Sequence, residues 1–209
     1  MKITLVDYGT GNLFSVRRAF ETAGADVKVV THPGEIQGSD RLVVPGVGAF
    51  GNCITELNRL NFSEAVHEFI ATERPFLGIC VGMQMLMERS LEFGEHAGLK
   101  IIPGTVEEIP NRTADSKVRK RPHIGWAPLT APNGWQDSIL KNTDPSTRFY
   151  FVHSFSVVPT DPAHILAACD YDGYPVVAAV RKDNVTGTQF HPEKSGLAGL
   201  EVIKTFLSM

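Results

Sequence analysis

The stretch that most constrains this chain is residues 75–86, which reads P-F-L-G-I-C-V-G-M-Q-M-L. An apolar run (Phe76, Leu77, Ile79) leads into Gly78-Ile79-Cys80-Val81-Gly82, and Met83, Met85, Leu86 and Met87 follow as the expected start of a helix. A cysteine flanked by glycines between a strand and a helix has the pattern of a nucleophile elbow. There a sharp turn lifts the reactive side chain off the sheet, and glycine lets the backbone pass where a Cβ would clash. A helix that begins at the sulfur turns its positive end toward a thiolate and leaves backbone N–H groups for an oxyanion. The same stretch also fits an inert cysteine in a parallel strand, because free cysteine is among the most buried residue types. The rest of the chain has to decide between the two.

Around the elbow, short apolar strands alternate with amphipathic helices. Residues 3–6, 27–30 and 42–44 read as strands. Leu13, Val16, Arg17 and Phe20 trace a helix that Gly24 stops, and Phe62, Val66, Phe69 and Ile70 trace another. This alternation predicts an α/β fold, an open, mostly parallel or mixed twisted sheet flanked by helices. Ligands of such sheets gather at the carboxyl ends of the strands, which here carry residues 8–12, residues 45–48 and the elbow. Later segments (101–109, 148–158, 165–169, 176–181 and 185–190) read as strands parted by turn signals such as Asp172-Gly173 and Asp183-Asn184. They predict antiparallel or mixed pairing, and a helix from about residue 199 to 207 closes the chain. No repeat, low-complexity segment or linker interrupts this order, so residues 1–209 are expected to form a single domain.

Composition removes several classes of function. A hydrophobic share of 43% with 21% charged residues describes an ordinary globule, and a net charge of −3 gives no reason to expect nucleic acid or an anionic membrane. The three cysteines (Cys53, Cys80, Cys169) are far apart with no C-x-x-C pair, which argues against a disulfide framework or a zinc site. Neither a metal nor a cofactor is expected. Gly9-x-Gly11 lacks the third glycine of a dinucleotide fingerprint, with Phe14 in its place, and only Thr31 and His32 follow the second strand where an acid is required. The opening residues enter a strand pattern directly, and no apolar run approaches the length of a membrane span, so the expected compartment is the cytoplasm. Lys117, Arg119, Lys120 and Arg121 cluster in a polar stretch that reads either as a solvated loop or as a contact for an anionic partner.

A reactive cysteine needs a base, and the base needs an orienting group. Residues 187–194 read G-T-Q-F-H-P-E-K at the end of a strand. In extended backbone, residues two apart share a face, so Glu193 is expected to reach His191 and hold its tautomer, with Pro192 stiffening the pair. Together with the elbow this predicts a triad of Cys80, His191 and Glu193. The combination of G-I-C-V-G-M-Q (78–84) and Q-F-H-P-E (189–193) resembles the class I glutamine amidotransferases. Within them, D-Y-G-T-G-N (7–12), P-G-V-G-A-F (45–50), F-Y-F-V-H-S-F (149–155) and G-T-Q-F-H-P-E-K-S (187–195) are similar to the glutaminase subunit of imidazole glycerol phosphate synthase.

The resemblance implies hydrolysis of L-glutamine to glutamate and ammonia. Cys80 would be the nucleophile, His191 the acid and base, and Glu193 its orienting group. The oxyanion donors would be Val81 N–H and the loop carrying Val47 and Gly48, a loop that in this family switches between poor and competent geometry when the partner engages. It also implies that Gln84 and Glu92 hold the substrate together with backbone groups of His153, Ser154 and Phe155. Without the resemblance, Gln84 and Glu92 read as an ordinary helical polar residue and a solvated helix end. Since elbow, triad and pocket use essentially the whole chain, the ammonia needs an acceptor enzyme. The resemblance supplies a (β/α)8-barrel cyclase as heterodimer partner, docked over residues 8–12 and 45–48, with Asn12, Trp126 and Lys194 in the interface. Trp126 reads equally as a buried structural indole. Phe155 stands where tyrosine is frequent in the family, Ile124 where methionine is common and Val81 where leucine is usual, and none of these removes a catalytic group. The alternatives are the glutaminase subunit of another pathway (vitamin B6, anthranilate or purine synthesis), a stand-alone cysteine γ-glutamyl hydrolase, and a non-catalytic scaffold.

Overall fold

A computed structural model describes residues 1–209. The first half of the chain alternates β1 (Lys2–Val6), α1 (Leu13–Thr22), β2 (Asp26–Val30), β3 (Leu42–Gly46), α2 (Phe50–Arg59), α3 (Phe62–Ile70), β4 (Phe76–Cys80) and the one-turn α4 (Val81–Gln84). The second half is mainly strands. These are β5 (Arg89–Ser90), β6 (His96–Ala97), β7 (Gly104–Glu108), β8 (His123–Pro128), β9 (Arg148–His153), β10 (Phe155–Pro159), β11 (Ile165–Tyr171), β12 (Tyr174–Lys182) and β13 (Val185–Thr188), before α5 (Gly196–Leu207). A seven-stranded sheet runs in the order β11-β12-β13-β4-β3-β1-β2. Its β13, β4, β3, β1 and β2 are parallel, and β12 and β11 extend it antiparallel. This is the mixed, helix-flanked sheet that the strand–helix alternation predicts.

Burial explains the order. Every residue of β3 and β4 is buried, as a strand covered on both faces requires, whereas the edge strand β2 is mostly exposed or half-buried. The register pairs Gly46 with Cys80 and Gly187 with Gly78, so the ends of β3, β4 and β13 lie side by side. The 45–48 loop, the elbow and the segment after β13 therefore meet at the carboxyl end of the sheet. The remaining strands form a four-stranded sheet (β10-β7-β5-β6) and the antiparallel pair β8-β9.

The structure departs from the sequence reading at several points. The helix after the elbow ends after one turn, because Met83, Met85, Leu86 and Met87 are all fully buried and leave no polar face for a longer surface helix. Backbone N–H groups of Leu99, Ile101 and Ile102 instead bond to the Met85 and Leu86 carbonyls. The segment 148–158 is two strands in different sheets, broken at Ser154, whose carbonyl accepts from Ile109 N. The strand expected from residue 101 begins at Gly104, whose φ of +147° follows Pro103. Helix α2 and strands β5, β6 and β8 are additions, and α5 starts three residues earlier than the apolar spacing suggests.

The basic cluster is divided: Lys117 and Lys120 stay exposed on a solvated loop, whereas Arg119 and Arg121 are tied into the fold. Arg119 is buried and donates to the carbonyls of Pro110, Arg112, Tyr171 and Asp172 at 2.6, 2.9, 3.2 and 3.0 Å, tying its own loop to the β11–β12 turn. Arg121 pairs with Glu108 and bonds the Ile109 carbonyl, and Lys117 pairs with Asp115. Neither a free solvated loop nor an anion site describes Arg119, which is a structural clamp.

Candidate active site

Cys80 ends β4 in a conformation that few L-residues adopt, with φ 55° and ψ −111°. The glycines around it make this possible by contact. A Cβ on Gly78 would lie 2.5 Å from the Gly82 carbonyl oxygen, and a Cβ on Gly46 would lie 2.9 Å from Gly82 N. The backbones of β3, β4 and α4 therefore touch directly, and Cys80 is held at the crest of the turn with only 5% of its surface exposed. Val81 N–H is the first of α4, directly after the nucleophile, and has no helical partner four residues back. A four-residue helix supplies these local N–H groups rather than a full macrodipole, so activation of the thiol rests on other side chains.

His191 follows β13 and faces the elbow. Its backbone is pinned by His191 N–H to the Tyr150 carbonyl (3.0 Å) and by Ser195 Oγ–H to the His191 carbonyl (2.7 Å). Ser195 Oγ also accepts from Tyr150 N at 3.0 Å. Nδ1–H donates to Glu193 Oε1 at 2.8 Å, with the two side chains 2% and 1% exposed. The carboxylate can only accept, so the proton is on Nδ1, and Nε2, which has no other hydrogen-bond partner, is left for the chemistry. Residues 192–194 form a 3-10 turn, so the pair meets through that turn and not across an extended face. Burial lowers the His191 pKa, but hydrogen bonds and charge from Cys80 and Glu193 outweigh it and raise the value to about 10. At His191 the imidazolium is the state this environment favours.

A cavity of about 460 Å³ opens over Cys80 and His191, and every site residue expected from the sequence lines it except Glu193, which lies behind His191, and Trp126. The family described as glutamine amidotransferase class-I matches residues 4–208. The chain belongs to the class I glutamine amidotransferase family. Curated relatives include the imidazole glycerol phosphate synthase subunit HisH 1 of Legionella pneumophila (strain Paris), 47% identical over 99% of both chains. The HisH subunit of Syntrophotalea carbinolica is 43% identical (99% of this chain, 100% of that one), and that of Geobacter sulfurreducens is 41% identical (100% and 99%). Among solved structures, a glutamine amidotransferase superposes with TM-score 0.74 at 18% identity, covering 98% of this chain and 97% of that one. PurLQS from Thermotoga maritima gives 0.73 at 19%, covering 99% and 97%. At these identities the two structures speak for the fold alone.

As an amidotransferase site the cavity has an identifiable division of residues. Gln84 is buried, and its Nε2 is already engaged by the Phe155 carbonyl (3.2 Å) and Gln189 Oε1 (3.0 Å). Glu92 is no solvated helix end. It accepts from Phe50 N at 2.7 Å, capping α2, and burial raises its pKa above the usual carboxylate range. His153 Nδ1–H donates to the Phe155 carbonyl (2.7 Å), and its Nε2 meets His123 Nδ1 at 3.3 Å; burial pushes its pKa down to about 3, so it is a neutral wall. The carbonyls of Ser154 and Phe155 are thus occupied within the protein.

The D-Y-G-T-G-N and P-G-V-G stretches turn out to be two halves of one contact. Tyr8 O–H donates to the Pro45 carbonyl at 2.7 Å, Thr10 O–H to Cys53 Sγ at 3.5 Å, and Cys53 S–H to the Val47 carbonyl at 3.5 Å. Gly48 then takes φ +103° with open space around it. Asn12 caps α1 through Oδ1 and reaches the cavity, as does Lys194, whose Nζ lies 5.9 Å above the Tyr150 ring. Trp126 packs edge-on to the same ring and is half exposed, so the buried-indole reading is excluded. Gln189, Ser195 and Cys53 are the supporting residues that the sequence reading did not single out. The first two lie inside the quoted 187–195 motif, but only tertiary contact reveals what they do.

Proposed function

We propose that this chain, as one amidotransferase domain, hydrolyses L-glutamine and passes the ammonia to the cyclase subunit of a cytoplasmic imidazole glycerol phosphate synthase. Cys80 Sγ attacks the side-chain carboxamide carbon. Val81 N–H and the Val47–Gly48 loop receive the oxyanion. His191 Nε2 delivers its proton to the departing ammonia, leaving a γ-glutamyl thioester, then takes a proton from the water that releases glutamate. Glu193 keeps the proton on Nδ1 throughout and compensates the imidazolium. Gln84, Glu92 and the 153–155 segment shape the glutamine pocket.

The observation that carries this reading is the Cys80–His191–Glu193 alignment at the floor of a cavity that the 7–12 and 45–50 motifs also border. The full-length likeness to HisH subunits favours this pathway over vitamin B6, anthranilate or purine synthesis. The partner face follows from exposure. Trp126 and Lys194 share the Tyr150 ring, Asn12 stands at the cavity rim, and tryptophan is enriched among interface anchors. The heterodimer would then cover the cavity mouth, so ammonia leaves toward the cyclase and away from bulk water.

Glutaminase activity measured with and without the cyclase carrying its ribotide ligand tests the proposal. The rate should be near zero alone and rise at least about 10²-fold in the complex, the worth of one recruited oxyanion donor, and Cys80→Ala should abolish the rise. Equal hydrolysis with and without the cyclase would leave a stand-alone amidase and refute the gated subunit.

A further inference from the structure

Gln189 is fully buried between β13 and His191, where an unpaired carboxamide would be costly. Its orientation is determined by its neighbours. Oε1 accepts from Gln84 Nε2 at 3.0 Å, and Gln84 is itself anchored to the Phe155 carbonyl at 3.2 Å. The donor end of the amide must then point the other way, and it does: Nε2–H reaches Cys80 Sγ at 3.6 Å. The backbone adds rigidity, since Gln189 N–H donates to the Ala178 carbonyl at 2.8 Å. This neutral donor approaches the sulfur in addition to His191.

We infer that Gln189 is a further catalytic residue, a fixed hydrogen-bond donor that stabilises the Cys80 thiolate and aims Sγ, with Gln84 as its positioning residue. The inference rests on the glutaminase reading for its place in the reaction, but the contact itself concerns only the sulfur. A thiolate accepts this N–H more strongly than a thiol does. When Sγ becomes a thioester sulfur the bond weakens, so the donor favours return of the thiolate as leaving group in deacylation. The role of Gln84 in such a chain is to stop the carboxamide from turning its oxygen toward the sulfur, which would repel the thiolate.

The test is the pH profile of Cys80 alkylation by iodoacetamide on the full-length chain without glutamine, read at Cys80 by peptide mass spectrometry. The other titratable groups around Sγ and its cavity are His191 with Glu193, Tyr8, Cys53, Glu92, His153 and Lys194, and all are unchanged in the variants. Gln189→Met keeps the volume and removes the donor. Its alkylation midpoint should move up by about one pH unit, with the rate at neutral pH down about tenfold, the scale of one hydrogen bond to a charged group. In the cyclase complex kcat should fall with KM nearly unchanged, because the contact is to the nucleophile and not to glutamine. A folded Gln189→Met with the native alkylation profile overturns the inference. If that variant does not fold, Gln84→Met answers the same question: an upward midpoint supports the inference and a native one overturns it. Failure of the native complex to hydrolyse glutamine would refute the amidotransferase reading instead, and would leave the alkylation result standing by itself.

Discussion

Gly82→Ala probes the elbow most directly. A Cβ at residue 82 would lie 2.0 Å from the Val44 carbonyl oxygen and 3.0 Å from its carbon. Both are backbone atoms of β3, a strand buried along its whole length and paired to β4 from Leu42 to Gly46. No side-chain rotation relieves the clash, so α4 and β3 must part by more than an ångström while the sheet register opposes it. Overpacking of this kind should destabilise the chain by about 3 kcal/mol. In a chain of this size that lowers Tm by about 6–12 °C, at about 2–4 °C per kcal/mol. Gly34→Ala is the internal control. Nothing lies within 4 Å of its Cβ and its φ is ordinary, so its Tm should stay within about 2 °C of the parent. Glutaminase activity of Gly82→Ala in the cyclase complex, assayed well below its Tm, should fall at least about 10²-fold, because Val81 N–H moves with residue 82. Calorimetry that puts both variants at the same Tm, with activity intact, would refute the argument that backbone contact sets the geometry of the nucleophile.

Two further perturbations test the surroundings. The His191 pKa, raised to about 10 by Cys80 and Glu193 against the opposing effect of burial, makes the folded state hold a proton that the unfolded state loses near its ordinary value of 6.5. That stabilisation is complete below about pH 6.5 and is lost as pH rises toward 10, at up to about 1.4 kcal/mol per unit. Urea titrations between pH 7 and 8.5 should show a shallower decline for Glu193→Gln than for the parent, and equal slopes would contradict the assignment. Arg119→Ala removes the donor to four carbonyls and should cost about 2–3 kcal/mol in urea unfolding, with Arg119→Lys failing to restore it because one ammonium cannot span them. Full rescue by lysine would mean that charge alone matters there.

The legible parts of the sequence were those where local chemistry and tertiary role coincide. Gly78-Ile-Cys-Val-Gly82 reads as an elbow because the same glycines that permit the turn also permit the packing. His191 and Glu193 are near in sequence, so their contact was readable even though a 3-10 turn, not extended backbone, brings it about. Residues 83–87 misled because an apolar run buried on all sides carries no period from which helix can be told from coil. Residues 148–158 misled because two strands of different sheets follow each other with one residue between them. Gln189 and Cys53 could not be read at all. Their partners lie 109 residues away at Cys80 for the first, and 43 away at Thr10 for the second.

These contacts divide the site into a fixed part and an adjustable one. Cys80 keeps a disfavoured backbone conformation because its surroundings over-determine it. Gly46, Gly78 and Gly82 press three backbones together, and Gln189 and His191 approach the sulfur from the segment that follows β13. Nothing comparable holds residues 47 and 48. Gly48 has open space around it, Val47 is 38% exposed, and their one tie to the core is the Cys53 S–H to the Val47 carbonyl, a weak donor at 3.5 Å. Tyr8 fixes the loop only as far as Pro45. On the proposed function, a partner pressing on this face would meet a rigid nucleophile and a compliant loop at residues 47 and 48, so gating would fall on the loop, with Cys80 and its donors already in position.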